Sequence, residues 1–157
     1  MVIIIAFTSL NVNAQSKKKI REHKVVSETV YTTKTVNGKE VQIKDSYEEY
    51  DKNGNVVLKI EYNKEGAVKK TEKYKYNANK DKIEEIEYDG TGKLKSHFTY
   101  VYNSSGERIG EIEYDAAGKI IKQSLTTYDS KGFKVEKRIY DGDKKLIAVK
   151  KYTYAKR

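Results

Sequence analysis

Apolar and polar positions alternate in short segments along most of this chain, from about residue 50 to its last residues. In the segment LKIEY, from Leu58 to Tyr62, every second residue is aliphatic or aromatic and the residues between are charged. This period of two is typical of a β-strand whose two faces meet different surroundings. Upstream, residues 27–36 and 39–50 flank Asn37-Gly38, the strongest short hairpin signal. The pattern predicts an all-β fold of about ten antiparallel strands in chain order.

A tyrosine followed by Asp or Asn closes each predicted strand. A shorter and a longer spacing alternate between these tyrosines, so two strands together make one tandem unit of about 26 residues. The series consists of Tyr50, Tyr62, Tyr76, Tyr88, Tyr102, Tyr114, Tyr128 and Tyr140, and Tyr154 closes it. The period predicts tandem double-strand repeats, regular from about residue 50. At 157 residues the chain is short for two domains, so we expect one sheet domain over residues 27–157.

In six units the tyrosine is followed by Asp or Asn, two further residues and Gly. Asp or Asn at the first position of a type I turn bonds its own backbone, and Gly at the fourth position tolerates a left-handed conformation. This predicts hairpin turns closed by a bulge. The paired positions are Asp51 and Gly54, Asn63 and Gly66, Asp89 and Gly92, Asn103 and Gly106, Asp115 and Gly118, and Asp129 and Gly132. Two units carry Lys80 and Lys144 in place of Gly, and we expect altered turn geometry there.

Both tyrosine spacings are even, which places every tyrosine of the series on one face of the sheet if no bulge intervenes. The same parity adds a set of apolar residues to that face: Leu58, Ile60, Ile86, Phe98, Ile112, Ile120 and Leu146. The alternation of shorter and longer spacings also staggers the strands, and such a stagger favours tilted, coiled sheets. We therefore expect a curled antiparallel β-meander with Tyr and Ile on its concave side.

The segment Tyr100–Ile109, which reads YVYNSSGERI, is echoed around Tyr76 and Tyr128. It resembles the YD repeats of rearrangement-hotspot and teneurin proteins, and the likeness covers about two thirds of the chain. The resemblance implies a long hairpin ribbon that coils into a hollow shell, with no catalysis in the repeats themselves. A weaker likeness is to MORN-type variant repeats, which also pair Tyr and Gly in hairpins.

Composition limits the kind of interior that this sheet can have. Hydrophobic residues make up 37% of the chain and charged residues 35%, and 14 of the aromatic residues are tyrosines. Such amphipathic material does not predict a thick, dry core. The net charge of +9 lies entirely after residue 14, and part of it is concentrated in residues 15–26, which we expect to form a flexible basic N-terminal arm.

The opening stretch predicts export. Val2 to Leu10 is largely apolar, and Val12-Asn13-Ala14 offers the small residues that a signal peptidase reads. We therefore expect residues 1–14 to be a signal peptide, cleaved near Ala14, and the protein to be periplasmic or secreted. A buried first strand is the alternative. The stretch is shorter than the roughly 20 apolar residues of a membrane-spanning helix.

The sequence offers little catalytic chemistry. It has no cysteine, which excludes disulfides and thiolate ligands, and its only histidines, His23 and His97, lack a second ligand at metal spacing. Glu and Lys alternate on nearly every strand, which cross-strand ion pairing explains without a carboxylate site. Gly90-Thr91-Gly92 is interpreted as a turn, since no helix follows it. We expect a non-enzymatic protein with no cofactor and no metal.

The remaining expectation is a structural or binding module that presents a tyrosine-rich surface. The candidate residues are the doublets Tyr74 and Tyr76, Tyr100 and Tyr102, and Tyr152 and Tyr154, for which packing within a thin sheet is the alternative role. A protein or an anionic glycan or envelope polymer suits a basic, tyrosine-rich face, and nucleic acid is disfavoured for an exported protein. Edge-to-edge self-association is a further possibility. The alternative functions are an antitoxin-like cytoplasmic inhibitor of the MORN-variant type and a small hydrolase.

Overall fold

One antiparallel sheet of ten strands makes up nearly all of the computed structural model, which describes residues 13–155. A single helix precedes it. The elements are α1 (Asn13–Glu22), β1 (Ser27–Val36), β2 (Lys39–Tyr50), β3 (Val56–Tyr62), β4 (Val68–Tyr76), β5 (Lys82–Asp89), β6 (Leu94–Tyr102), β7 (Arg108–Tyr114), β8 (Ile120–Tyr128), β9 (Lys134–Asp141) and β10 (Leu146–Lys151).

The strands lie in the sheet in their order along the chain, from β1 to β10, and each pairs only with its neighbours in sequence. The sheet does not close, so β1 and β10 are its two edges. The predicted all-β meander of about ten strands is therefore confirmed. No helix within residues 13–155 is long and apolar enough to cross a membrane.

The hairpin turns share one set of hydrogen bonds. In the first regular turn the amide of Gly54 donates to the carbonyl of Asp51 at 2.9 Å, and the amide of Asp51 donates to the carbonyl of Asn55 at 2.9 Å. The Asp51 carboxylate also accepts from the amides of Asn53 and Asn55. Gly54 has a φ of 76°, so this left-handed position explains why glycine recurs there.

The two turns that lack this glycine keep the same geometry. Lys80 and Lys144 occupy the left-handed position with φ values of 70° and 64°. Their amides donate to the carbonyls of Asn77 and Asp141 as the glycine amides do elsewhere. The expected altered geometry was wrong, because the hydrogen bonds of the turn hold the lysine backbone in a conformation that costs it energy.

Every regular hairpin also contains a one-residue bulge just beyond its turn. Tyr50 pairs with Val56 and Glu49 pairs with Leu58, which leaves Val57 without a partner. The same register shift recurs at each later turn, up to the last hairpin between β9 and β10. A single extra residue reverses which face a side chain occupies. Consecutive tyrosines of the series therefore alternate between faces, and the prediction that all lie on one face was wrong.

The two faces differ in composition. The face that we call the tyrosine face carries Tyr50, Tyr74, Tyr76, Tyr100, Tyr102, Tyr128 and Tyr152, together with Phe98. The opposite, aliphatic face carries Tyr62, Tyr88, Tyr114 and Tyr140 with Leu58, Ile60, Ile86, Ile112, Ile120 and Leu146. Of the apolar residues expected beside the tyrosines, Phe98 alone lies with the doublets, because three bulges separate it from Leu58.

The sheet is a single layer with no dry core. Among residues 17–155 no hydrophobic side chain is buried, and the buried polar residues are Asn55 and Ser124, at 1% and 5% exposure. Cross-strand pairs and the hydrogen-bond ladder therefore supply the stability that a second layer would otherwise provide.

The basic segment after residue 14 contains a helix, where a flexible arm was expected. The backbone of Lys17 and the side chain of Ile20 lie so close to Gly54 that a Cβ there would contact both. Lys17 Nζ donates to Asn55 Oδ1 at 3.2 Å, and the amide of Val25 donates to the carbonyl of Ile20 at the end of the helix. A ten-residue polar helix is marginal alone, so this contact with the first regular turn accounts for it. Most of the predicted signal peptide, residues 1–12, lies outside the described residues.

Candidate functional site

Five of the six candidate tyrosines lie on the tyrosine face: Tyr74, Tyr76, Tyr100, Tyr102 and Tyr152. They belong to β4, to β6 and to the residues that follow β10, and these strands run in the same direction. Two bulges separate β4 from β6 and four separate β6 from β10, and an even number of changes of face returns the side chains to the same face. The sixth, Tyr154, packs against Phe133, with 5.0 Å between the ring centroids and an angle of 47° between the ring planes.

The second tyrosine of a doublet bonds to the backbone of the neighbouring strand. The hydroxyl of Tyr76 donates to the carbonyl of Val56 at 3.0 Å, and that of Tyr102 donates to the carbonyl of Lys82 at 2.8 Å. Burial raises the pKa of Tyr76 to about 12, so its hydroxyl stays protonated and able to donate at neutral pH. These two phenols have a structural role.

Tyr128 belongs with them, although the sequence analysis did not select it. Its hydroxyl donates to the carbonyl of Arg108 at 2.9 Å, which is the same relationship one unit further along. The repeat period was the signal that could have found it, since Tyr128 follows Tyr102 at the same interval at which Tyr102 follows Tyr76. Tyr128 was not chosen as a candidate because position 126 holds Thr, so Tyr128 does not form a tyrosine doublet.

The first tyrosine of a doublet is flanked by a cation. Lys82 Nζ lies 4.4 Å from the ring centroid of Tyr74, and Arg108 Cζ lies 4.7 Å from that of Tyr100. The hydroxyl of Tyr100 donates to Glu85 at 3.1 Å. Burial, followed by nearby glutamates, raises the pKa of both tyrosines. These rings are neutral, half-buried aromatic surfaces with a positive charge beside them.

An open groove of about 390 Å³ lies on this face near its N-terminal end. We call it the tyrosine groove. Its lining comprises three tyrosines, three lysines, a glutamate and two small residues: Tyr50, Tyr74, Tyr76, Lys17, Lys59, Lys82, Glu48, Gly54 and Val56. The hydroxyl of Tyr50 lies between two carboxylates that compete for its one hydrogen, Glu28 at 2.8 Å and Glu48 at 3.0 Å, and burial, followed by these two carboxylates, raises its pKa. Lys17 of the groove lies on α1, in the segment that was expected to be a flexible arm.

A smaller cavity of about 110 Å³ lies on the same face near the C-terminal end. We call it the basic cavity. Four basic side chains and one carboxylate line it, with hydroxyl groups between them: Arg108, Lys134, Lys137, Lys150, Glu111, Ser124, Thr126, Tyr128 and Tyr152, beside Gly110. The tyrosine doublets predicted from the sequence thus border a site whose charged residues the sequence analysis did not select.

The strand histidine pairs with a carboxylate and an aromatic ring. His97 lies on the aliphatic face, where it contacts Glu84 at 2.9 Å and stacks on Tyr114 at 4.7 Å between centroids. Within residues 13–155 no three His, Cys, Asp or Glu side chains are grouped so that they could hold a metal ion.

Comparison with known proteins identifies no family. No family model matches the chain, and no curated protein matches it. Among solved structures, a porin-like protein from Bacteroides uniformis is 13% identical, with a TM-score of 0.38 over 79% of this chain and 49% of that protein. S. aureus TarM is 15% identical, with a TM-score of 0.35 over 85% of this chain and 23% of TarM.

A protein of unknown function from Bacteroides fragilis is 11% identical, with a TM-score of 0.41 over 83% of this chain and 96% of that protein. The chain thus spans less than half of the porin-like protein and about a quarter of TarM. None of these similarities bears on function, which has to be inferred from the two sites on the tyrosine face.

Proposed function

We propose that this protein is an exported, non-enzymatic structural and binding module whose tyrosine face holds an anionic glycan or similar envelope polymer. The observation that carries the proposal is the tyrosine groove, where three tyrosine rings and three lysines line one open depression. The faces of tyrosine rings offer flat apolar surfaces on which sugar rings can stack, and the lysines attract acidic substituents. A polymer that crosses the open sheet also reaches the basic cavity on the same face.

The electrostatic field of the chain favours the same class of partner. The net charge is +9, and the face combines fixed Glu–Lys pairs with cations that lie over tyrosine rings. A positive field of this kind accelerates encounters with polyanions and makes binding weaken with ionic strength. The polymer therefore binds by two contributions, one from the rings and one from the charges.

Export is proposed from the pattern of residues 1–14. Cleavage after Ala14 leaves Lys17 and Ile20, the residues of α1 that contact the first regular turn. The mature chain therefore keeps the lysine that α1 contributes to the tyrosine groove. Protein recovered from a periplasmic fraction or from the medium is expected to begin at Gln15. An intact N-terminus on protein found only in the cytoplasm contradicts this part of the proposal.

Heparin serves as a test polyanion, with retention on a heparin column and titration by tyrosine fluorescence as the measurements. Tyr74→Ala removes a ring of the tyrosine groove and is expected to weaken binding about 3- to 10-fold, since an aromatic contact is worth about 0.5–1.5 kcal/mol. Tyr88→Ala is the matched control, because Tyr88 lies on the aliphatic face with Lys73 Nζ 5.5 Å from its ring centroid. Circular dichroism establishes that both variants remain folded.

The two variants separate recognition from packing. Weaker retention for Tyr74→Ala, with unchanged retention for Tyr88→Ala, supports the proposal. Equal losses of binding in two folded variants contradict it, as does retention by the native protein that ignores both salt and the tyrosine substitution. Loss of folding in Tyr74→Ala is resolved with Tyr74→Leu, which fills space but offers no aromatic face.

A further inference from the structure

We propose that the basic cavity binds one tetrahedral oxyanion, a sulfate or phosphate ester group. Arg108, Lys134, Lys137 and Lys150 converge on a space of about 110 Å³. That volume equals roughly four water molecules at about 30 Å³ each, which suits one such group. The inference rests on the proposed function, because it names the substituent that an anionic polymer would place there.

The preceding double-strand unit of the chain provides an internal comparison. The positions one unit before the cavity lining hold two bases and two carboxylates, and an aromatic ring in the middle: Lys82, Arg108, Glu85, Glu111 and Phe98. In the last unit Phe98 is replaced by Ser124, Glu111 by Lys137 and Ser124 by Lys150. The first replacement removes a ring and opens the space, and the other two turn a neutral set of charges into a positive one.

The one carboxylate of the cavity does not neutralise its four basic side chains. Glu111 contacts Lys137 Nζ and the guanidinium of Arg108, each at 3.6 Å. Among the described residues, Lys134 and Lys150 form no ion pair, and Lys134 Nζ lies 6.0 Å from the ring centroid of Tyr152. Like charges held this close repel each other, so an anion that enters the cavity relieves an existing cost.

The polar wall of the cavity suits an oxyanion. Ser124 is 5% exposed and lies in the floor, with Thr126 beside it on the same strand and face. Their hydroxyls can donate to anion oxygens, and Arg108 can do so through two parallel N–H groups. The carboxylate of Glu111 opposes binding, and it also holds Arg108 and Lys137 toward the space. Four bases against one carboxylate still favour the anion.

Two variants test the site with changes that other units of the same sheet already accommodate. Lys137→Glu restores the residue type of Glu85 and Glu111, and Lys150→Ser restores that of Ser124. Lys95→Glu is the control, because it makes the same change of charge as Lys137→Glu at an exposed position outside the cavity. Sodium sulfate and sodium phosphate, each at ionic strength held constant with sodium chloride, are titrated into the full chain and followed by amide NMR shifts.

The native protein is expected to show saturable shifts at Ser124 and Thr126. Lys137→Glu is expected to weaken binding at least tenfold, Lys150→Ser severalfold, and Lys95→Glu less than twofold. Equal affinities in the native protein and Lys137→Glu overturn the proposal, as do equal shifts with chloride alone. Displacement of sulfate by a heparin disaccharide identifies a sulfate ester, displacement by glycerol phosphate identifies a phosphate ester, and displacement by neither overturns the site.

The outcomes also separate this inference from the proposed function. Heparin binding that depends on Tyr74, together with a sulfate response that ignores Lys137, contradicts only the basic cavity. A sulfate response lost in Lys137→Glu, together with no retention of any polyanion, contradicts only the proposed function.

Discussion

The hydroxyl of Tyr102 donates to the carbonyl oxygen of Lys82 at 2.8 Å and so ties the end of β6 to the first residue of β5. Tyr76 makes this contact with Val56, and Tyr128 makes it with Arg108, each across 20 positions of the chain. The carbonyl in each case belongs to the residue just before a bulge, where the ladder is locally interrupted. The tyrosine therefore supplies a hydrogen bond to a backbone group where the ladder of each of these three hairpins is interrupted.

Removing one of these hydroxyls is expected to lower stability without changing the fold. Tyr102→Phe deletes a single hydrogen bond to a half-buried carbonyl, which is worth about 0.5–1.5 kcal/mol of unfolding free energy. Urea unfolding followed by circular dichroism measures the change. Tyr88→Phe is the matched control, since among the described residues the hydroxyl of Tyr88 has no hydrogen-bond partner, and we expect a change below about 0.5 kcal/mol. Equal effects of the two substitutions contradict a structural role for the Tyr102 hydroxyl.

The chemistry of the turns made the number and order of the strands predictable. It did not make predictable which face of the sheet each side chain occupies. Asp51 and Gly54 encode a turn through hydrogen bonds within a few residues, and the residue types alone indicate such bonds. The glycine predicts a bulge that closes the turn itself, but the further bulge at Val57 leaves no such signature, because even spacing between tyrosines is equally compatible with hairpins that lack it. One uncounted residue per hairpin was enough to divide the tyrosines between two faces.

The candidate sites were predictable to a similar extent. Tyrosines two residues apart identified the doublets, and those at Tyr74 and Tyr76 and at Tyr100 and Tyr102 share a face because two bulges separate them. The contact between α1 and the first regular turn depends on tertiary packing around Asn55, and no local pattern encodes it. The basic cavity likewise required knowledge of which lysines share a face.

Glycine at a left-handed turn position that lacks it is expected to stabilise the sheet. Lys80 has a φ of 70°, a conformation that costs a residue with a Cβ about 1–2 kcal/mol. Glycine avoids this cost but has greater freedom in the unfolded chain, which offsets part of the gain. Lys80→Gly should therefore raise the unfolding free energy by about 0.5–1 kcal/mol. Lys64→Gly is the control, because Lys64 lies in the preceding turn and is not among the residues with positive φ. That substitution should destabilise. A loss of stability in both variants refutes the account of the Lys80 turn.

Asn55 is expected to couple α1 to the sheet. Its Nδ2 donates to Asp51 at 2.9 Å and its Oδ1 accepts from Lys17, and it is 1% exposed. Asn55→Ala should cost about 1–3 kcal/mol and loosen α1, because it removes a buried amide and the partner of the helix. Hydrogen exchange at the amides of Ile20 and Arg21 should quicken together with the loss of stability.

The comparable position one unit later supplies the control for Asn55. Asp81 accepts from Asn77 Nδ2 at 3.1 Å, and it is more exposed. Asp81→Ala should reduce stability by less and leave the exchange of the α1 amides unchanged. Unaltered exchange of those amides in Asn55→Ala would show that α1 is held by other contacts.

Acid is expected to remove the stabilisation that Glu84 provides. A hydrogen bond from Lys75, and then one from His97, lowers the pKa of Glu84, although partial burial opposes the shift. The pKa of Glu84 in the folded chain lies below its value of about 4.3 in the unfolded chain. At pH values above about 4.3 the ionised carboxylate therefore stabilises the fold. This stabilisation is lost as the pH falls through the folded-state pKa. Glu84→Gln should cost about 0.5–1.5 kcal/mol at pH 7, and urea unfolding at pH 7, 5 and 3 should show this difference shrink as the pH falls.

Glu65→Gln is the control for acid unfolding, since Glu65 lies exposed in a turn and its carboxylate pairs with no described residue. It should leave stability within about 0.5 kcal/mol of the native protein at all three pH values. A difference between the native protein and Glu84→Gln that is undiminished at pH 3 would mean that the glutamine disturbs the contacts with Lys75 and His97, so that the charge of Glu84 is not the cause. A difference that appears only at pH 3 would reverse the sign of the argument, because it would require Glu84 to bind its proton more tightly in the folded chain.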